Sequence, residues 1–380
     1  MTDDSTHSLE YRSFSLSLSS PLETADGTIE SRDGFLVRIS DGPGPGERGD
    51  GGEATDEKAT NIGATVGRSA AVGYGEATPL AGWTESREDC EAALERAADA
   101  LRSGGPRDAL EAVDRQVAAR HAVSLALTDL QATKEATPLY RYLGQGPMIG
   151  RVPVNATIGD GTPSDSAVNA REAVDRGFGS CKLKVGLRSV DEDVERVRRV
   201  REAAGEDIEL RADANEAWTY EQAETALEAF DEVGLSILEQ PLPAGALEGH
   251  AALRERSEDV RIALDEGLLE HGVDAICEAG AADAVVLKPM ALGGIDVARK
   301  IAIWVRELEM TPIVTTTIDG VVARTAAVHL AASIPDVPPC GLATAELLAE
   351  DLGRDPVFLD RGSAVVPQAK GLGVEGVWEE

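Results

Sequence analysis

Lysine is almost missing from this chain. Only seven of its 380 residues are lysine, and the 36 basic residues face 68 acidic ones, giving a formal net charge of -32. Such an exterior repels nucleic acid and anionic membrane, which excludes a phosphate-backbone partner. The acids are scattered, as over 191–195, 221–231 and 255–259, instead of forming one tail, and this pattern describes a solvated, salt-adapted surface. Cysteine is also sparse: Cys90, Cys181, Cys277 and Cys340 lie far apart with no Cys-x-x-Cys pair and no histidine cluster beside them. That excludes a zinc site and a disulfide framework. No apolar stretch approaches the roughly 18 residues of a membrane span. Residues 1–10 are acidic and polar, unlike a signal peptide. The expectation is a soluble, cytoplasmic protein with reduced thiols.

Apolar content is 42%, enough at this length for a large core and a smaller one. Residues 9–40 alternate as a hairpin does, with Tyr11, Phe14, Leu16 and Leu18, a polar turn at Asp26-Gly27, then Phe35, Val37 and Ile39. Residues 41–59 are rich in Gly, Pro and acids and read as an insertion; without a Gly-Lys-Ser/Thr they are no phosphate loop. A strand at 70–74 and helical patterns over 86–101 and 107–133 complete an α+β cap over residues 1–145. From 146 to 344 apolar β-leaning runs alternate with helical stretches, near 152–156, 180–185, 208–213, 235–239, 260–265, 284–288, 311–316 and 339–342. Eight such strands suffice for a (β/α) barrel, whose C-terminal strand ends converge on one mouth. The tail, 345–380, carries Gly371, Gly373 and Gly376 and is expected to return to the cap. The fold class is therefore α/β: a modified (β/α) barrel with an α+β capping domain built from the N-terminal region and the tail.

The strand ends carry the scarce residues. Lys182 and Lys184 flank Leu183, so a period-two strand turns both amines into the barrel. Asp213, Glu239 and Asp265 close three consecutive strands, and Lys288 closes the next. Three hard oxygen donors suit Mg²⁺, with Mn²⁺ an acceptable substitute. A helix N-cap or a salt bridge is an equal reading for Asp265 alone, but not for the regular series. A lysine that acts as a base must be neutral, which desolvation, a neighbouring ammonium or a metal can bring about.

The Lys-x-Lys strand, Arg211-Ala212-Asp213-Ala214-Asn215, Glu239-Gln240-Pro241, Asp265-Glu266 and Lys288-Pro289 with Gly293-Gly294 resemble the enolase superfamily, in its muconate-lactonizing subgroup. The hairpin, Gly73-Tyr74-Gly75-Glu76-Ala77 and Gly82-Trp83 resemble that superfamily's capping domain. The resemblance implies proton abstraction next to a carboxylate, with Mg²⁺ on Asp213, Glu239 and Asp265 and with Asn215 and Glu266 behind them. It also implies Lys184 as base, Lys182 as the ammonium that tunes it and touches the substrate carboxylate, and Lys288 as the cation on the opposite face. Arg211, Thr315-Thr316-Thr317-Ile318-Asp319-Gly320, Gly341-Leu342-Ala343-Thr344 and Asp351-Leu352 look like the o-succinylbenzoate synthase family, which acts in menaquinone biosynthesis. On that resemblance Arg211 stacks on a cyclohexadiene ring, while Thr315, Thr316, Thr317, Gly293 and Gly294 hold the succinyl carboxylate. The threonines are equally explained by β-propensity.

The alternative is an N-succinylamino acid racemase, with muconate cycloisomerase a third option. A dipeptide epimerase usually carries Asp-x-Asp after the eighth strand, where this chain reads Leu342-Ala343-Thr344-Ala345-Glu346. A barrel that binds without turnover is disfavoured, because buried charges are costly to retain without use. The expected partner is a small carboxylate substrate, and a homo-oligomer is compatible with the chain.

Overall fold

The computed structural model describes residues 7–24, 27–42, 71–257 and 259–379. From residue 43 onward the expected insertion at 41–59 lies outside them. The cap begins with an antiparallel sheet of β1 (His7–Thr24), β2 (Gly27–Asp41) and β3 (Val72–Ala77), in that spatial order. Helices α1 (Arg87–Gly104), α2 (Pro106–Ala112), α3 (Val117–Lys134) and α4 (Leu139–Gly144) follow. The single helix expected over 107–133 is thus two: Val113 is buried and its N–H turns back to Leu110, and α3 then restarts against the sheet. Gly73 and Gly75 let β3 lie on α3. A Cβ at either would stand 2.1 Å from Ala126 O or 1.9 Å from Ala122 O.

The second body contains β4 (Arg151–Pro153), β5 (Ala156–Ile158), α5 (Pro163–Asp175), β6 (Ser180–Lys184), α6 (Val190–Ala204), β7 (Glu209–Asp213), α7 (Tyr220–Glu232) and β8 (Ile237–Glu239). It continues through α8 (Leu247–Arg256), β9 (Arg261–Leu264), α9 (Glu266–Ala279), β10 (Ala284–Leu287), α10 (Ile295–Glu307), β11 (Thr311–Val314) and α11 (Val321–Ala332). Strands β5 to β11 form one parallel sheet in sequence order, the curled (β/α) barrel wall. Its two edges are joined through 340–341, where Cys340 bridges Val154 and Gly341 bridges Thr315, both parallel. The expected eighth strand therefore exists as two isolated bridges. The expected first strand, 152–156, is divided: β4 pairs antiparallel with β12 (Ser363–Val365) from the tail, and β5 alone enters the wall.

Period-two alternation sets the layers. Leu183, Ala212, Leu238, Leu264, Leu287 and Val314 face outward into the large core under the helices. Ile237, Ala263, Ala284, Val286 and Ile313 face inward as a separate small plug. Thr162, Ser189 and Thr219 start α5, α6 and α7 with reciprocal capping boxes to Asp165, Glu192 and Gln222, which fixes where the chain leaves each strand end. Among the described residues no helix is long and apolar enough to cross a membrane.

The last residues touch the N-terminal sheet. Trp378 lies under the Arg38 guanidinium at 4.4 Å, and Arg12 donates to Val377 O at 2.7 Å. Buried Asp129 of α3 accepts from Tyr74 N at 2.8 Å and from Leu372 N at 2.7 Å, tying helix, sheet and tail together. Burial pushes this carboxyl up to about 7, against the two donors that favour its ionised form. Since the folded value lies above the unfolded one, the contribution of this group to stability is fully present below the unfolded pKa of about 3.9 and is lost as pH rises through about 7. We expect Asp129→Asn to lower stability and to flatten the decline in denaturation midpoint between pH 5 and pH 8. An undiminished slope would place the titration elsewhere.

Candidate active site

Every inward residue at the C-terminal edge of β6 to β10 carries or faces charge. Lys182 Nζ donates to Asp213 Oδ2 at 2.9 Å and to Glu239 Oε1 and Oε2 at 3.0 and 3.2 Å. Lys184 Nζ shares the same Asp213 oxygen at 2.7 Å and reaches Asn215 Oδ1 at 2.6 Å. Across the mouth, Lys288 Nζ donates to Asp265 Oδ2 at 2.5 Å and lies 3.4 Å from the ring centroid of Trp83, in the cap loop. In-register pairing of Lys184 with Asp213 and of Asp213 with Glu239 explains why these side chains meet at one level.

The three carboxylates are at most 3% exposed. Burial alone would raise Asp213, but Lys182 and Lys184 outweigh it and hold the group well below the usual carboxylate range. Glu239 is pushed up to about 7 by burial and by the Asp213 charge. Burial raises Asp265 to about 6 against the opposing Lys288 ammonium. Burial works against the charge on Lys182, yet Asp213 and Glu239 keep the amine above the ordinary lysine range.

The carboxylates do not converge on a single point: among the described residues no three acidic, histidine or cysteine side chains form a ready coordination group. The ammoniums of Lys182 and Lys288 neutralise them instead. The donor set nonetheless fits a hard divalent cation. It consists of buried carboxylate oxygens on consecutive strands, two of them driven toward neutrality by burial and by neighbouring negative charge. Asp265 begins α9 but makes no side-chain cap to it, so the N-cap reading does not apply, whereas the salt-bridge reading describes its contact with Lys288.

Asn215 and Glu266 lie beside Asp213 and contact one another. Asn215 Nδ2 donates to Glu266 Oε1 at 3.2 Å, and its own N–H donates to Asp213 Oδ1 at 3.1 Å. The six residues expected to touch the substrate are engaged elsewhere. Arg211 faces inward but points down the barrel, 1% exposed, with Glu209 at 3.0–3.2 Å and Pro339 O at 2.7 Å. It does not reach the mouth, because the carboxylate two residues earlier on the same face captures it. Gly293 and Gly294 are buried against α3: Arg120 donates to Gly293 O, and Gly294 N–H is engaged by Pro289 O at 2.9 Å. They dock cap to barrel and present no free N–H at Gly294. The threonine hydroxyls are engaged within the protein: Thr315 with Gly341 O at 2.9 Å, Thr316 with Thr344 at 3.1 Å and Thr317 with Asp319 at 2.5 Å. Thr315 and Thr317 spend their hydroxyl protons on these partners.

Three residues with evident duties were not singled out by the sequence. Gln240 Oε1 accepts from Asp265 N and Gly267 N, both at 3.0 Å, and so fixes where Asp265 starts. Arg196 of α6 is fully buried and donates to Lys184 O at 2.7 Å and to Gly159 O at 2.8 Å, bracing two strand ends. Trp83 covers Lys288. Gln240 and Trp83 were visible inside motifs; nothing in a helical arginine announces a partner on another element.

Residues 165–380 match the Enolase C-terminal domain-like family. An L-Ala-D/L-Glu epimerase of Clostridium acetobutylicum is 31% identical over 262 residues, 68% of this chain and 72% of that protein. An o-succinylbenzoate synthase of Thermobifida fusca is 36% identical over 217 residues, 56% of this chain and 65% of that one. Among solved structures, a dipeptide epimerase from Enterococcus faecalis complexed with Mg and L-Leu-L-Tyr superposes with TM-score 0.79 at 28% identity, covering 97% of this chain and 99% of that chain. An N-succinyl Arg/Lys racemase from Bacillus cereus superposes with TM-score 0.82 at 25% identity, covering 98% and 95%.

If the strand-end acids hold a divalent ion, Asp213→Asn, Glu239→Gln and Asp265→Asn should each abolish Mg²⁺-dependent turnover while far-UV circular dichroism stays native. Turnover that persists in excess chelator would contradict the assignment.

Proposed function

The chain belongs to the enolase C-terminal domain-like family, and from that premise we propose that it is a dehydratase of the o-succinylbenzoate synthase kind. It would convert 2-succinyl-6-hydroxy-2,4-cyclohexadiene-1-carboxylate to o-succinylbenzoate by syn loss of water, in menaquinone biosynthesis. The asymmetry of the two facing lysines carries this reading. The Lys184 side chain is 37% exposed and that of Lys288 14%. Lys288 is pinned between Asp265 and the face of Trp83, which leave its amine little freedom to move. A dehydratase needs one group that moves protons and one fixed cation; a racemase needs two that move protons.

In this reaction Lys184 Nζ takes the proton from the carbon beside the substrate carboxylate. Because loss is syn, the same ammonium returns that proton to the departing hydroxyl, and water leaves as the ring becomes aromatic. Asn215, through Oδ1, orients Lys184 for both transfers. Held by Asp213, Glu239 and Asp265, Mg²⁺ would supply Lewis-acid stabilisation of the charge that builds on the substrate carboxylate. Lys288 presents its charge from the other face, and Trp83 shields that side from water.

N-succinylamino acid racemase is the second reading, supported by the likeness to the Bacillus cereus enzyme and by the presence of a lysine on each side of the mouth. Dipeptide epimerisation draws support from the likeness to the Clostridium acetobutylicum and Enterococcus faecalis enzymes, but one segment argues against it. Glu346, the only acid in 342–346, turns outward to Arg176 at 2.9 Å, so no carboxylate from that segment meets a substrate ammonium.

We expect Lys184→Ala to eliminate dehydration and Lys288→Arg, which keeps the charge, to retain part of it. Solvent deuterium should not wash into N-succinylamino acids at a comparable rate. Efficient exchange into both antipodes, with Lys288→Arg blocking one hand only, would make racemase the better assignment. The net charge of -32 also leads us to propose a salt-adapted protein whose melting temperature rises with KCl as repulsion among acids is screened. A salt-independent melting temperature would count against that.

A further inference from the structure

Two cap residues reach the barrel loop that follows β11. Fully buried Glu76 at the end of β3 accepts from Gly320 N at 2.6 Å through Oε1 and from Ala323 N at 2.9 Å through Oε2. Those are first-turn donors of α11, whose own N-cap, Gly320, supplies no side-chain bond. The approach is so close that a Cβ at Gly320 would stand 3.0–3.1 Å from both carboxylate oxygens. From β2, Arg32 donates to Ile318 O at 3.2 Å. Ile318 is β-branched yet has φ +62°, a conformation that needs outside support.

The same two side chains hold the cap's own loop. Thr78 Oγ1 donates to Glu76 Oε1 at 2.7 Å, and Arg32 donates to Thr78 O at 2.8 Å and Pro79 O at 3.3 Å. Five residues beyond Thr78 that loop delivers Trp83 onto Lys288. One buried acid and one buried arginine therefore fix the Trp83 loop of the cap and the 315–320 loop of the barrel against each other.

We propose that Glu76 and Arg32 are positioning residues that set the height of Trp83 over Lys288 and the shape of the 315–320 loop, and thereby how tightly the site grips its substrate. The kinetic part rests on the dehydratase reading; the placement of Trp83 does not. Glu76→Gln puts an NH2 donor where one of the two α11 N–H groups now meets a carboxylate oxygen, and Arg32→Lys keeps the charge but loses the fork. In each variant Trp83 is followed by fluorescence and acrylamide quenching, with its signal isolated as the difference from the matching Trp83→Phe protein. KM and kcat are measured for dehydration in parallel.

The expected result is a red-shifted, more readily quenched Trp83 in folded protein, with KM raised about tenfold and kcat changed less than about threefold. A Trp83 signal identical to the parent's in folded Glu76→Gln and Arg32→Lys, even with a lowered melting temperature, would leave these residues a merely structural role and overturn the proposal. If Glu76→Gln does not fold, Arg32→Lys decides alone. If the parent shows no dehydration, the function assignment fails while the fluorescence still judges the clamp.

Discussion

Six ionisable side chains gathered at one rim of a parallel barrel have to compensate one another there, because water reaches few of them. An unpaired buried charge costs several kcal/mol, and breaking a buried pair by removing one partner costs about 3–5 kcal/mol. The two ammoniums on Asp213 and the one on Asp265 are the local solution to that constraint. Much of the surrounding architecture serves it. The Gln240 amide fixes Asp265, the Arg196 fork holds the carbonyl of Lys184, and Trp83 closes over Lys288. The other end of the barrel repeats the pattern more simply, with Arg211 and Arg261 on Glu209.

Charge balance of this kind is what makes the rim chemically useful. The carboxylate oxygens that three lysines neutralise are also hard donors of the kind a divalent ion takes. The net repulsion of the exterior does not extend into such a site, since at 0.15 M salt it fades over about 8 Å.

The rim was legible in the sequence for a physical reason. Strand side chains alternate with period two, so Lys182 and Lys184 had to face the same way, and the acids recurred where strands end. What alternation cannot give is height. Arg211 is on the correct face, but its long side chain had a choice of directions, and Glu209 drew it downward. The Gly293-Gly294 pair was recognisable as part of a motif, while its docking partner, Arg120, lies 173 residues away. The closing segment, 339–342, was legible as a β-leaning run, but not that only two isolated bridges, at Cys340 and Gly341, make the closure. Trp83 and Glu76 both stood in motifs, yet their partners, Lys288 and α11, are set by how cap meets barrel. A local pattern cannot report that meeting.

The central claim is that Asp213, Glu239 and Asp265 form one divalent-cation site at the foot of the lysines. Anomalous diffraction from a crystal soaked in Mn²⁺ tests it most directly. The expected map has a single peak roughly 2.0–2.3 Å from an oxygen of each of the three carboxylates, with the ammonium of Lys182 withdrawn from between Asp213 and Glu239. No peak there, or a peak on other residues while Lys182 keeps both carboxylates, would contradict it.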